Sequence, residues 1–416
     1  MGAEWVAIIA LVALFVVGTV LPINMGALAY VAAWLVGMYA LDLDEKEILG
    51  GVSGDLILTL IGVTYLFAIA RKNGTVDLIV RAAVRGVGGR VVMIPWVMFA
   101  VTAVLTAIGA VSPAACAIIG PVALGFAGRY AISPLLMGML VVHGAQAGGF
   151  SPISIYGTIT NSVMSENGLP DSELTIFFSS LVVNLLLAIV LFVVLGGRTL
   201  VGRRVDPADA TADDAPDRVT VAQWLTLAAF VLVAVVALIF DKNIGFVAIT
   251  AAVMLSMLRP KEYQHTVKDI AWPTVLLVAG VSTYATILEL AGSPEFVGNW
   301  AAGLSTILIG ALVLCYVGGV VSAFASSTAL LPVIIPIALP LIADGGISAG
   351  LFVAALAVSS TIVDVSPFST NGALMLANKP DSIAEPVYYR QILTYSVIVV
   401  VAGPLLVWSA LVLPGW

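Results

Sequence analysis

The polar chemistry of this chain is concentrated in a seven-residue pattern that occurs twice. It reads Ser151-Pro152-Ile153-Ser154-Ile155-Tyr156-Gly157 in the first half and Ser366-Pro367-Phe368-Ser369-Thr370-Asn371-Gly372 in the second. Both copies follow S-P-x-S-x-x-G, and both lie inside long apolar stretches. Proline removes a backbone donor and glycine weakens a helix, so each copy is expected to interrupt one. An interrupted helix presents free N–H groups at the positive end of a half-helix, where an anion can rest. It also presents carbonyl and hydroxyl oxygens, which are hard ligands for a cation such as Na+.

The elements around these heptads are membrane elements. The 416 residues are 61% hydrophobic and only 10% charged, far below the roughly 25% charge of soluble domains. Many apolar windows approach the ~20 residues that cross a hydrocarbon core, so a polytopic membrane protein is expected. The first apolar run, Trp5 to Leu21, lacks a basic leader and a small-residue cleavage site and is taken as a transmembrane helix. Cys116 and Cys315 sit in separate apolar stretches and point to neither a disulfide framework nor a metal site. Unwound backbone in a bilayer is tolerated only where protein buries it or a wet cavity adjoins it. The heptads are therefore expected to line a polar cavity. Two apolar stretches broken at their centres, near Ser112 and near Ser326-Ser327-Thr328, read as re-entrant hairpins whose tips meet the heptads.

The two halves match in order. Asn24-Met25-Gly26 corresponds to Asn243-Ile244-Gly245, Gly62-Val63-Thr64 to Gly280-Val281-Ser282, and Ser112 with Pro121 to Ser327 with Pro336, at a nearly constant offset shared by the heptads. The expected fold is all-α, with two repeats of five membrane crossings each (one a broken helix) plus one re-entrant hairpin. Repeat one covers 1–197, a polar linker 198–219, and repeat two 220–416. An odd number of crossings inverts the second copy. With both termini outward, every Lys and Arg of the 17 except Lys46 and Lys242 falls on the cytoplasmic side, the linker included.

Inverted repeats with broken helices bind their substrates near the midplane. The expected substrate contacts are Ser112, Ser151, Ser154, Gly157, Ser326, Ser327, Thr328, Ser366, Ser369, Asn371 and Gly372. No Lys or Arg is expected near the midplane. An anion would rest on helix N-termini worth only about 0.3–2 kcal/mol each, which calls for a co-bound cation. Asp364 is the one carboxylate expected within an apolar span, and the repeat gives it the counterpart Gly149. Intramembrane ionisable groups are functional by default, so it is assigned to a Na+ site with Thr361, Ser112, Thr158 and Thr328. A carboxylate that only caps a half-helix is the competing reading. His143 and Gln146 are left open between structural and functional duty.

The run Val20-Leu21-Pro22-Ile23-Asn24-Met25-Gly26-Ala27-Leu28-Ala29 and the spans after it resemble the MatC-type malonate and dicarboxylate carriers, wider relatives of the divalent anion/sodium symporters. The symporters carry Ser-Asn-Thr at each hairpin tip. Here the second tip is Ser326-Ser327-Thr328 and the first Val111-Ser112-Pro113, which points to a differently shaped pocket. The resemblance implies Na+-coupled import of malonate or a C4-dicarboxylate, an elevator mechanism, a homodimer, and the inner membrane of a prokaryote. The partners are then the small dicarboxylate and membrane lipid, with no nucleic acid. A cation/proton antiporter or H+-coupled anion carrier using Asp364 is the alternative. An intramembrane enzyme has no support, because no Ser/His/Asp set, H-E-x-x-H or paired aspartates occur at useful spacing.

Overall fold

The computed structural model describes residues 2–21, 23–86, 88, 90–204, 219–240, 242–302, 306–323, 327–343 and 346–415. It is an all-α membrane protein, with no strand among the described residues. The first half contains α1 (Ala3–Val20), α2 (Met25–Ala40), α3 (Glu45–Gly50), α4 (Gly54–Lys72), α5 (Thr75–Gly86), α6 (Ile94–Ala107), α7 (Ser112–Tyr130), α8 (Pro134–Gly148), α9 (Ile155–Glu166) and α10 (Glu173–Val194). The second contains α11 (Val221–Phe240), α12 (Ile244–Leu258), α13 (Pro260–Tyr263), α14 (Trp272–Leu290), α15 (Ser293–Ala302), α16 (Ile307–Ser322), α17 (Ser327–Ala343), α18 (Ala349–Thr361), α19 (Thr370–Ala377) and α20 (Glu385–Leu411). Most of the linker expected over 198–219, and Ser326 at the second tip, lie outside the described residues.

Among the described residues six segments are long and apolar enough to cross a membrane: α4, α7, α10, α14, α20, and Ala349–Ala377 taken as one broken span. Residues 112–130 form a continuous 19-residue helix that accommodates Pro121 in its interior. The same holds for Pro332, Pro336 and Pro340, all inside α17. The breaks fall elsewhere. Gly109, with φ of 106°, turns the chain between α6 and α7, and both heptads interrupt their helices as expected.

The segments matched by sequence pair crosswise. Gly26 of α2 crosses α14 so closely that a Cβ would lie 2.0 Å from the Leu276 carbonyl oxygen, and one on Gly280 would lie 2.0 Å from that of Gly26. In the counterpart crossing, a Cβ on Gly62 of α4 would lie 2.6 Å from the carbonyl oxygen of Gly245 in α12. The caps repeat the exchange. Asn24 caps α2 and donates to the Pro273 carbonyl at 3.0 Å, while Asn243 caps α12 and donates to the Asp55 carboxylate. At the start of α4, a Cβ on Gly51 would sit 3.0 Å from Cβ of Thr286, near the end of α14. Hence α4 and α14 begin at opposite ends of the bundle.

Candidate binding site

A cavity of about 380 Å³ opens where helix N-termini converge. It is lined by Asn24 and Met25 at the start of α2, Val111 and Pro113 at that of α7, and Pro273 and Thr274 at that of α14. Ser327 and Thr328 at the start of α17 and Thr370 and Asn371 at that of α19 complete the ring, with Tyr156 from the first turn of α9. Each N-terminus carries roughly half a positive charge and unsatisfied N–H groups. Among the described residues no Lys or Arg lines the cavity, and Asp364 is its one carboxylate.

Asp364 is held by both halves of the chain. Gln146 Nε2 donates to Oδ2 at 3.0 Å, the Tyr156 hydroxyl to the same oxygen at 3.2 Å, and Ser327 Oγ to Oδ1 at 2.8 Å. Asn371, which lines the same cavity, donates from Nδ2 to Ser112 Oγ at 2.7 Å. Asn371 Oδ1 and Gln146 Oε1 are buried acceptors without a hydrogen-bond partner. Such atoms are costly unless something meets them, typically about 1–3 kcal/mol each. The Asp364 carboxylate, the two unmatched amide oxygens and the Ser112 and Thr328 hydroxyls are hard oxygen donors of the kind that fits Na+, Gln146 and Ser112 being joined to the cavity through their bonds to Asp364 and Asn371. Among the described residues no group of three His, Cys, Asp or Glu could hold a transition metal.

The structure divides the expected site residues. Ser112, Ser327, Thr328, Asn371 and Asp364 meet at this cavity. The heptad serines instead build the loops, by the same bonds in both copies. Ser154 Oγ donates to the carbonyls of Gly149 and Ser151 and caps α9 through Gly157 N–H. Ser369 Oγ bonds the carbonyls of Asp364 at 2.5 Å and Ser366 at 2.8 Å, and caps α19 through Gly372 N–H. Ser151 Oγ donates to the Ala107 carbonyl, tying the first loop to α6, and Ser366 Oγ accepts from Phe368 N–H. Gly157 and Gly372 contribute closeness rather than ligands, since a Cβ on either would lie 2.0 Å from the first heptad serine's carbonyl oxygen. Thr361 turns its hydroxyl back onto Ala357 and Val358 of its own helix. Thr158 lines a different cavity from Asp364.

Tyr156 is the contact that sequence reasoning missed, and Gln146 the one left without a role. The signal for Tyr156 was its heptad position, which is that of Asn371 in the other copy. His143 is packed as a structural residue, with Nδ1 2.8 Å from Asn184 Oδ1 and Nε2 2.6 Å from the Tyr395 hydroxyl.

The two classes of serine are expected to fail differently. Ser369→Ala removes a cap worth about 0.5–2 kcal/mol and should lower the melting temperature, whatever ligand is added. Ser327→Ala leaves the caps in place and should weaken dicarboxylate binding, read by isothermal titration. Equal affinity loss in both variants, without loss of stability in Ser369→Ala, would return the heptad hydroxyls to the ligand shell.

Known proteins share both the pattern and the fold. Residues 1–149 match the family described as dicarboxylate carrier protein MatC N-terminus, and residues 242–415 match that of the citrate transporter. No curated protein sequence matches the chain. The crystal structure of the Alcanivorax borkumensis YdaH transporter, described as having an unusual topology, is similar with a TM-score of 0.58 at 12% identity. The likeness covers 88% of this chain and 87% of that one. Two families of carboxylate carriers thus resemble separate parts of the chain, and a solved structure shares its fold.

Proposed function

We propose that the protein imports a small dicarboxylate, malonate or a C4 acid, coupled to Na+. The observation that carries this reading is the ring of helix N-termini around a cavity with no basic side chain among the described residues. Donors of that kind favour an anion without fixing a permanent positive charge in the membrane. A site so built holds a dianion weakly, and Asp364 at its wall opposes it further. A cation between Asp364, Asn371 and Gln146 would offset both effects. Its binding would then strengthen that of the substrate, which is the thermodynamic basis of coupling. The crosswise helix pairs support two inverted repeats, and the distribution of Lys and Arg along the sequence supports termini outward and the linker cytoplasmic. The proposal includes an elevator movement, a homodimer and the inner membrane of a prokaryote.

Counterflow of labelled malonate into proteoliposomes tests the coupling. An inward Na+ gradient should stimulate uptake, and collapsing it should abolish the stimulation. Uptake indifferent to Na+, together with Na+ efflux driven by a pH gradient, would replace this reading with a cation/proton antiporter working through Asp364.

A further inference from the structure

A second polar cavity, of about 220 Å³, lies at the other end of the bundle, beside the start of α4 and the start of α12. Asp55, beside which α4 begins, marks its position. The start of α4 lies against the end of α14, whereas the first cavity takes in the beginning of α14. The two cavities also approach one another along α9, since Tyr156 lines the first and Thr158 the second.

Its floor holds polar atoms that the protein leaves unmatched. Thr158 is 5% exposed, and its Oγ1 has no hydrogen-bond partner. Asn161, one turn further along α9, has neither its Oδ1 nor its Nδ2 matched. Thr158 and Asn161 share a helix face by their i, i+3 spacing. The walls carry Asp55, Asp171 and Glu173 against the single ammonium of Lys242. Two of these acids have local explanations, because Asp55 and Glu173 stand in the first turns of α4 and α10 and complement those helix ends. Asp171 lies outside any helix, and the matched Asn243 amide occupies one oxygen of Asp55. Carboxylate excess at the wall with hydroxyl and amide oxygens at the floor is the donor set of a hard cation. A water occupies about 30 Å³ of liquid, so the space admits an ion with part of its hydration shell.

We infer that this second cavity binds a hard cation, held through Thr158 Oγ1 and Asn161 Oδ1 and balanced by Asp171 and Asp55. It is separate from the Asp364 cavity and stands whether or not that cavity couples Na+ to a dicarboxylate. Thr158, grouped by sequence with Asp364, belongs to this second site.

Equilibrium binding of radiolabelled Na+ and, separately, Ca2+ to the purified full-length protein tests the inference. Thr158→Val keeps the shape and removes the oxygen, and Asp171→Asn alters an exposed residue between α9 and α10. Both variants are expected to weaken binding of one of these ions by at least about tenfold, a change of ~1.4 kcal/mol. Asp364→Asn should leave that component intact and remove a different one. If Na+ and Ca2+ both bind Thr158→Val and Asp171→Asn as they bind the parent protein, the cavity holds only water and the inference is wrong. Loss in Thr158→Val and Asp171→Asn with full ion binding in Asp364→Asn would support this site while overturning the coupling site.

Discussion

Replacing Asp364 by asparagine is expected to leave the protein folded and to remove the Na+ dependence of dicarboxylate binding. The substitution is isosteric, and the surrounding groups can readjust to it. Gln146 now donates Nε2 to the carboxylate and leaves Oε1 without a partner. Turning that amide over would present Oε1 to the new side-chain NH2. Ser327 also lies 3.2 Å from the Ser360 carbonyl and can donate there instead. The orphan cost of about 1–3 kcal/mol per buried group is thereby avoided. The charge has no such substitute. Two unit charges 4 Å apart interact by about 4 kcal/mol at an effective dielectric constant near 20, so losing one matters by orders of magnitude in cation affinity. A thermal-shift titration with malonate, with and without Na+, reads the result. In the parent protein Na+ should deepen the malonate shift by mass action, and in Asp364→Asn the two titrations should coincide. A wild-type Na+ response in the variant would reduce Asp364 to a structural carboxylate bridging the two halves of the chain.

Much of this architecture was legible in the sequence, for a physical reason. Helix breaks need proline, glycine and hydroxyl side chains at fixed spacing, so both heptads announced their loops. The close helix crossings need glycine, so Gly26, Gly62, Gly245 and Gly280 stood out as matched pairs before their contacts were known. What spacing does not encode is where a hydroxyl points. Ser154 and Ser327 are both serines beside a helix start, yet one is consumed by its own loop and the other reaches Asp364. The difference lies in which distant carbonyl or carboxylate comes within reach, and tertiary packing alone decides that. Thr158 shows the same limit. Its closeness to the first heptad in sequence put it with the Na+ ligands, but a helix turns by about 100° per residue and carries it to the second cavity. Tyr156 was hidden by its type, because an aromatic ring in an apolar span reads as core until its hydroxyl is seen to find a carboxylate.

Gly372→Ala is expected to weaken substrate binding by roughly ten- to hundredfold although the change adds one methyl group. Gly372 lies in the first turn of α19, and its negative φ suits any residue, so backbone conformation is not the obstacle. The obstacle is contact. The new Cβ would lie 2.0 Å from the Ser366 carbonyl oxygen and 2.7 Å from that of Val365. Both atoms are backbone, and neither can swing aside as a side chain would. Relief requires α19 to lift from the loop that caps it, and the neighbouring Asn371 moves with it. The bond from Asn371 to Ser112 and the place of Asn371 in the cavity lining are then lost together. Overpacking of this kind costs about 1–3 kcal/mol, which alone is roughly a ten- to hundredfold loss of affinity if the strain is released by giving up the site. Gly157→Ala meets the equivalent carbonyl of Ser151 at 2.0 Å and should displace Tyr156 from Asp364 in the same way. Gly125→Ala in α7, where an added Cβ meets nothing within 4 Å, is the control and should bind as the parent does. Binding of malonate measured on all three proteins, together with their melting temperatures, decides the matter. Full affinity in Gly372→Ala would show that the loop and helix can part without disturbing the cavity, and the heptad would lose its role in shaping the site.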